Sequence, residues 1–319
     1  MKPPFTEYTA ALQQTLFDGQ RVSPILPYSY KRDILTGSGA SFAPSISVSG
    51  AQHKMSLVVR DGQLRFAEPG EQGTHILKPH PARFTLNRDI PANEEFCMRV
   101  CRDICRLSTA ASALCFFQDG VPAYLTRRFD ILPSGQKLHM EDLASLSDLL
   151  VQGNSNAKYN GSYEQLAGII ARVSSVPLMD LRQFFRMVLV NFILCNGDAH
   201  AKNFSMLEAD GGAWRLAPVY DVMNTRVHVS DTDFAMGRGL FEDGRTCPRN
   251  HLSDFFLSWG EAIGLSRRIA QLDIRNILHR GHEIISELPS SHMTPKAQRV
   301  FRYHMKLRLD RFERKQDSP

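Results

Sequence analysis

The chain has 319 residues, 43% hydrophobic and 22% charged, with 38 lysines and arginines against 33 aspartates and glutamates. Such a length buries a large core and divides more naturally into two lobes than one, and the mild positive excess suits an anionic ligand or partner without identifying one. Six dispersed cysteines (Cys97, Cys101, Cys105, Cys115, Cys195 and Cys247) exclude a secreted disulfide scaffold; with no apolar leader in MKPPFTEY and no run of about 18 apolar residues, the expectation is a soluble cytoplasmic protein with reduced core thiols.

In chain order, residues 5–17 are expected to form a short helix, which Pro24 and Pro27 end. The Gly- and Ser-rich stretch 36–54, TGSGASFAPSISVSGAQHK, reads as a loop. MSLVV is a strand, DGQ a hairpin turn before LRFA, and THILKP another strand closed by Pro79. A helix starts near Asn93, its apolar face repeating through Phe96, Val100 and Ile104. Two more strands flank the Asp119–Gly120 turn, so the first 130 residues predict a mostly antiparallel sheet with one inserted helix. Beyond Arg128-Phe129-Asp130 the texture turns helical: 139–150, YEQLAGIIARV, and a run to Leu194 with Asp180 as its N-cap. A strand, WRLAPVYDV, follows Gly211-Gly212; 252–265, 267–288 and 295–315 are helical. The fold class expected is α+β, with a β-rich lobe over residues 1–128 and a helical lobe over 129–319.

The chemistry concentrates at CNGDAHAKNF (195–204), where a strongly apolar helix ends in charged residues. Charge beside a buried helix is costly unless it is paired or binds a metal. In phosphoryl transfer one Asp orients the acceptor hydroxyl, an Asn five residues later and a second Asp after a strand hold Mg²⁺, and a strand lysine paired with a helix glutamate binds phosphates. Asp198, Asn203, Asp221, Lys78 and Glu94 or Glu95 occur in that order and context, and Lys202 can neutralise charge on the transferred group. The plain alternatives are a turn after a helix that Gly197 ends, an Asx-turn at Asp221 and a hydrogen-bonded structural His200. Cys97, Cys101 and Cys105 share one helix side, a poor arrangement for Zn²⁺, and Gly-x-Ser-x-Gly and His-Glu-x-x-His are both missing from the sequence.

Taken together, ISVSGAQHK, THILKP, NEEFC, RRFD, GDAHAKNFS and APVYDV resemble, in this order, the HipA-type serine/threonine kinases of bacterial toxin–antitoxin systems. The resemblance spans about residues 45–240. It implies a bilobal protein-kinase-like fold using ATP and Mg²⁺, with Asp198 and Lys202 catalytic and Asn203 and Asp221 as metal ligands. It also implies nucleotide contacts from Lys78, Glu94, His200, Ser49, Gly50, Ala51 and Gln52, with Arg128 and Phe129 at a hinge beside the adenine. Ser47, Ser49 or Ser45 would be autophosphorylated and silence the kinase, since a phosphate adds nearly two negative charges. Because the serine loop begins by residue 45, without the extra domain of full-length HipA, the chain resembles the short HipT type. That implies a HipS-like small protein and a HipB-like DNA-binding antitoxin as partners. It implies an aminoacyl-tRNA synthetase as substrate, tryptophanyl-tRNA synthetase first.

Two other functions fit parts of the sequence. Aminoglycoside and choline phosphotransferases share a catalytic loop like CNGDAHAKN, and a non-catalytic pseudokinase subunit would keep the fold alone. The basic stretch KAQRVFRYHMKLRLDRFERK reads as a solvated amphipathic helix rather than a nucleic-acid contact.

Overall fold

A computed structural model describes residues 3–35, 54–147 and 156–313. Helix α1 (Ala10–Phe17), shorter than expected, is capped by the Thr9 hydroxyl. Strands β1 (Met55–Arg60) and β2 (Gln63–Phe66) meet at Asp61-Gly62, both with positive φ, the backbone a tight twisted hairpin requires. Strands β3 (His75–Pro79), β4 (Ser112–Phe116) and β5 (Pro122–Arg127) complete an antiparallel sheet of order β2-β1-β3-β5-β4. Helix α2 (Ile90–Arg99) is the inserted helix; Pro91 sits in its first turn, where a missing N–H costs nothing, and a π-helical turn, Val100–Ile104, extends it.

Strand alternation divides the sheet into two faces. Leu57, Leu77, Ala113 and Leu125 pack beneath Leu16 and Phe17 of α1 in one core. Leu114, Phe116 and Tyr124 face α2 and join the larger core of the helical lobe. Lys78, one residue after Leu77 and paired in register with Tyr124, therefore lies on the α2 face.

The helical lobe holds α3 (Tyr163–Val173), α4 (Pro177–Ile193), α5 (Leu252–Ala262), α6 (Arg267–His279), α7 (Gly281–Glu287) and α8 (Pro295–Glu313). A small sheet of order β6-β7-β8 comprises Met140–Asp142, Ser205–Ala209 and Ala213–Leu216. The helix expected over 139–150 is thus corrected through residue 147: Met140–Asp142 pair with β7, and the Asp142 carboxylate accepts from the Ser145 amide at 2.8 Å, turning the chain. The helix expected over 267–288 is two, interrupted at Arg280.

Asp180 is likewise no N-cap. Pro177 opens α4, and Asp180, buried in its first turn, accepts from the Ser174 hydroxyl at 2.6 Å and the Leu216 amide at 2.9 Å. It thereby ties α4 to β8. The apolar length of α4 runs through an aromatic core of Phe184, Phe185, Phe192, Phe256 and Trp259. Among the described residues no helix is long and apolar enough to cross a membrane.

Candidate active site

Three elements converge on Lys78. Its Nζ lies 2.6 Å from Glu94 Oε1 on α2 and 2.6 Å from Asp221 Oδ1 beyond β8, and 5.4 Å from the centre of the Tyr124 ring. Of the two glutamates the sequence left open, Glu94 makes the pair and is 1% exposed; Glu95 turns to Arg99 at 3.4 Å. Neighbouring Asn93 holds the same junction, donating to the Asn224 carbonyl at 2.9 Å and accepting from the Asn224 amide at 3.0 Å.

The electrostatics follow from one ammonium serving two carboxylates. Burial works against the Lys78 charge, but Asp221 and Glu94 outweigh it and hold the lysine firmly protonated. Burial also opposes the Asp221 charge, yet Lys78 and Lys54, whose Nζ is 3.7 Å from Asp221 Oδ2, keep that carboxyl well below the usual range. Glu94 shows the reverse balance: burial, opposed by Lys78 and reinforced by Asp221, pushes it up to about 7. Asp221 has φ 61°, a left-handed conformation uncommon outside glycine that Asp tolerates and that functional sites often hold.

The second cluster stands at the end of α4. Cys195, not Gly197, takes the left-handed turn, with φ 58°. The glycine answers a different need: a Cβ at Gly197 would lie 2.2 Å from the Asp231 carboxylate carbon. The Thr225 hydroxyl stands between these strands of chain, 2.5 Å from Asp231 Oδ2 and accepting from the Gly197 amide at 2.9 Å. Asn196, anchored on Asn191 at 2.7 Å, accepts from the Asp198 amide at 3.2 Å. Further along, Asp233 receives Arg226 at 3.0 Å, and from α8 Arg308 at 2.9 Å and Arg311 at 2.6 Å.

Asp198 itself accepts a hydrogen bond from the Tyr159 phenol at 2.7 Å. Its side chain is 53% exposed, but the walls around it still dominate: loss of hydration raises its pKa, Tyr159 and Lys158 oppose that, and Asp221 and Asp231 add to it. His200 is buried, its Nε2 4.0 Å from Asp198 and its ring edge-on to Tyr159 at 5.2 Å. Burial, then Lys158, holds its pKa down to about 4, so the ring is neutral at pH 7.

Asn203 joins this group through Nδ2, which donates to the Asp221 carbonyl at 3.5 Å. Lys202 is exposed; its carbonyl accepts from the Tyr220 phenol at 3.0 Å. Arg128 is engaged by Asp130 and not by the Lys78 group, while the Phe129 ring lies 5.6 Å from Tyr220, next to Asp221. Ser45, Ser47, Ser49, Gly50, Ala51 and Gln52 lie outside the described residues.

The donor set suits a hard cation. The Asp221 carboxylate and the Asn203 amide oxygen are hard oxygen ligands, and Mg²⁺ characteristically takes one or two carboxylates plus phosphates and water. Among the described residues no group of three or more His, Cys, Asp or Glu forms a metal cage, so such a cation would share its shell with phosphate oxygens.

Several residues of the site carried no role in the sequence reading. Lys54, at the end of SISVSGAQHK, has no local pattern that marks it as a partner of Asp221. Lys158 and Tyr159, in a single 3₁₀ turn Ala157–Tyr159, had no recognisable motif, and neither did Asp231.

Comparison with known proteins places these features in context. Residues 46–283 match the family model described as the HipA-like C-terminal domain. A putative kinase of Haemophilus influenzae is 26% identical over 281 residues, covering 82% of this chain and 79% of that protein. The putative kinase Y4mE of Sinorhizobium fredii is 28% identical over 221 residues; the match takes in 67% of this chain but only 50% of the relative's length. Among solved structures, the Shewanella oneidensis HipA, HipB and operator DNA complex includes a chain that superposes with a TM-score of 0.66 at 19% identity, covering 90% of this chain and 71% of that one. The Helicobacter pylori proinflammatory kinase CtkA gives 0.53 at 11% identity, covering 82% and 90%. At these identities the structures establish a shared bilobal architecture, a β-sheet lobe against a larger helical one.

Proposed function

Because the chain belongs to the HipA-like C-terminal domain family, we propose that it is an ATP- and Mg²⁺-dependent serine/threonine protein kinase. The observation that carries this is the convergence of Lys78, Glu94 and Asp221 from three separate elements, with Asn203 bonded to the Asp221 backbone and Asp198 on the same loop as Asn203. ATP supplies the phosphoryl group, with Mg²⁺ screening its charge. Asn203 and Asp221 would hold the cation, Lys78 would exchange part of its pairing for phosphate oxygens, and Asp198 would orient and deprotonate the acceptor hydroxyl. The exposed Lys202 would add positive charge near the transferred group, His200 and Glu94 would line the nucleotide side, and Arg128 and Phe129 would lie beside the adenine.

We further propose the finer assignment that the family suggests: a toxin of a type II toxin–antitoxin system, acting in the bacterial cytoplasm beside a HipB-like antitoxin and a HipS-like small protein. An aminoacyl-tRNA synthetase, tryptophanyl-tRNA synthetase first, would be its target, so that phosphorylation stops charging and translation. Self-phosphorylation at Ser47, Ser49 or Ser45 would end its activity, and residues 1–128 and 129–319 would act as the two lobes. The test is γ-phosphate transfer from Mg·ATP to a panel of purified aminoacyl-tRNA synthetases, to an aminoglycoside and to choline, with phosphopeptide mapping of the chain itself. Label on a synthetase and within residues 41–54 is expected. Label on the small molecules alone would replace a protein kinase with a small-molecule one, and failure to bind Mg·ATP would leave a pseudokinase.

A further inference from the structure

Lys158 is 8% exposed, and among the described residues its ammonium makes no salt bridge. Its ammonium lies 4.9 Å from the centre of the Tyr159 ring. Burial of the side chain lowers the Lys158 pKa, while Nζ keeps some contact with solvent, so the ammonium stands where an anionic group can reach it. The charges acting on it are those of the site itself: Asp198, Lys202, Asp221 and Lys54. Lys78, by contrast, is committed to Glu94 and Asp221. Lys158 acts on Asp198 and Lys54 on Asp221, so cations gather where an anionic phosphoryl group would lie between the two aspartates.

The turn Ala157–Tyr159 packs against the turn Ala201–Asn203 of the catalytic loop. Tyr159 donates to Oδ1 of Asp198, which fixes the carboxylate plane and leaves the other oxygen for an acceptor hydroxyl. One turn therefore sets a cation beside the Asp198–Asp221 pair and aligns Asp198.

We propose that Lys158 binds the transferring γ-phosphoryl group and that Tyr159 is a positioning residue for Asp198, so that the turn Ala157–Tyr159 is part of the phosphoryl-transfer machinery. This rests on the kinase function proposed above. In the step, the bond from the γ-phosphorus to the β,γ-bridging oxygen breaks as the bond from the serine or threonine oxygen forms. The hydroxyl proton passes to Asp198 and ADP leaves with the bridging electron pair. Lys158 offsets the charge on the γ-phosphoryl oxygens, the kind of electrostatic stabilisation worth roughly 10²–10³-fold in rate when one donor is removed.

The experiment uses the full chain and compares Lys158→Met, Lys158→Arg and Tyr159→Phe with wild type. Mg·ATP and Mg·ADP affinities are measured by calorimetry, label transfer from γ-labelled ATP gives the rate, and thermal melting checks the fold. Lys158→Met is expected to lose the preference for Mg·ATP over Mg·ADP and about 10²-fold in kcat. Lys158→Arg, which keeps the charge, should keep the preference and fold even if Lys158→Met does not. Tyr159→Phe should lower kcat about tenfold with KM for ATP unchanged, the pattern of a residue that orients the reacting carboxylate and does not hold the nucleotide. A wild type that transfers phosphate alongside an equally active, equally ATP-selective Lys158→Met, or a Lys158→Arg that loses the preference, overturns this inference alone. A wild type that neither binds Mg·ATP nor transfers label overturns the kinase function and this role with it.

Discussion

On the sheet side of the site, Lys78 holds two carboxylates at 2.6 Å each, and Asp221 carries a second lysine at 3.7 Å. On the helical side, Asp198 accepts one phenol with half its side chain in solvent, and Lys158 is buried with no salt bridge among the described residues. The first cluster is enclosed: one ammonium serves two carboxylates, and Glu94 Oε2 is buried without a hydrogen-bond partner among the described residues, so a nucleotide would enter it by exchanging partners. The second is open, its carboxylate half in solvent and its lysine without a salt bridge among the described residues. Closed pairing keeps the sheet and helical lobes in register; open chemistry is what a reacting group needs.

The sharpest way to break this contrast is at the open side. Asp198→Asn removes the proposed base but leaves its neighbours, and phosphotransfer should fall about 10²–10⁴-fold with little change in melting temperature. Activity within about tenfold of wild type would remove Asp198 from the chemistry. At the closed side, Asp221→Ala takes away both the proposed metal ligand and one of Lys78's two partners. The expected outcome is about a 10²-fold loss of ATP turnover at fixed Mg²⁺, partly recovered as Mg²⁺ is raised. A Mg²⁺ titration identical to wild type would show that Asp221 is no ligand.

Gly197→Ala tests how firmly the open side is held from behind. The new methyl group meets the Asp231 carboxylate, so either that residue or the loop bearing Asp198 must shift. A displacement of this kind should lower kcat by about tenfold or more while ATP affinity holds. If ATP affinity falls and kcat does not, the loop and the nucleotide side are not independent.

The smallest effect concerns Glu94 and pH. Its native pKa of about 7 lies above the ordinary 4.5, so the folded chain binds that proton more tightly than the unfolded one. Its contribution to stability is therefore complete below the unfolded value and declines as pH rises through about 7. Between about pH 5 and about pH 8 the melting temperature of wild type relative to Glu94→Gln should fall by roughly 2–4 °C. A constant difference would mean that Glu94 is ionised throughout and that the closed cluster is more tightly paired than its burial implies.

Much of this was legible in the sequence for a physical reason. The strand residues, the Asp61-Gly62 turn and the inserted helix follow from local periodicity and turn chemistry, which act over a few residues. Asp198, Asn203 and Asp221 stood out because polar residues ended an apolar helix at a spacing that phosphate chemistry uses. The misreadings involve long-range partners. Asp180 looked like a cap until Leu216, 36 positions away, proved to need its carboxylate. Residues 140–142 looked helical until β7 supplied their pairing. Tyr159 reaches Asp198 across 39 positions, and Asp231 meets Gly197 only because the chain after Asp221 folds back on the loop. No local pattern encodes such meetings.

The arginines on Asp233 also bear on how the chain is made. Asp233 and Arg311 are 78 residues apart, and the buried Arg308 lies three residues before Arg311. At about 5–20 residues per second, a ribosome takes roughly 4–16 s to go from one to the other. Through that interval the segment behind the catalytic loop exists without the helix that fastens it. Fastening of this segment thereby waits for α8 to be made, and a nascent chain stalled after α7 carries every residue of the proposed chemistry without the arginines that tie down Asp233.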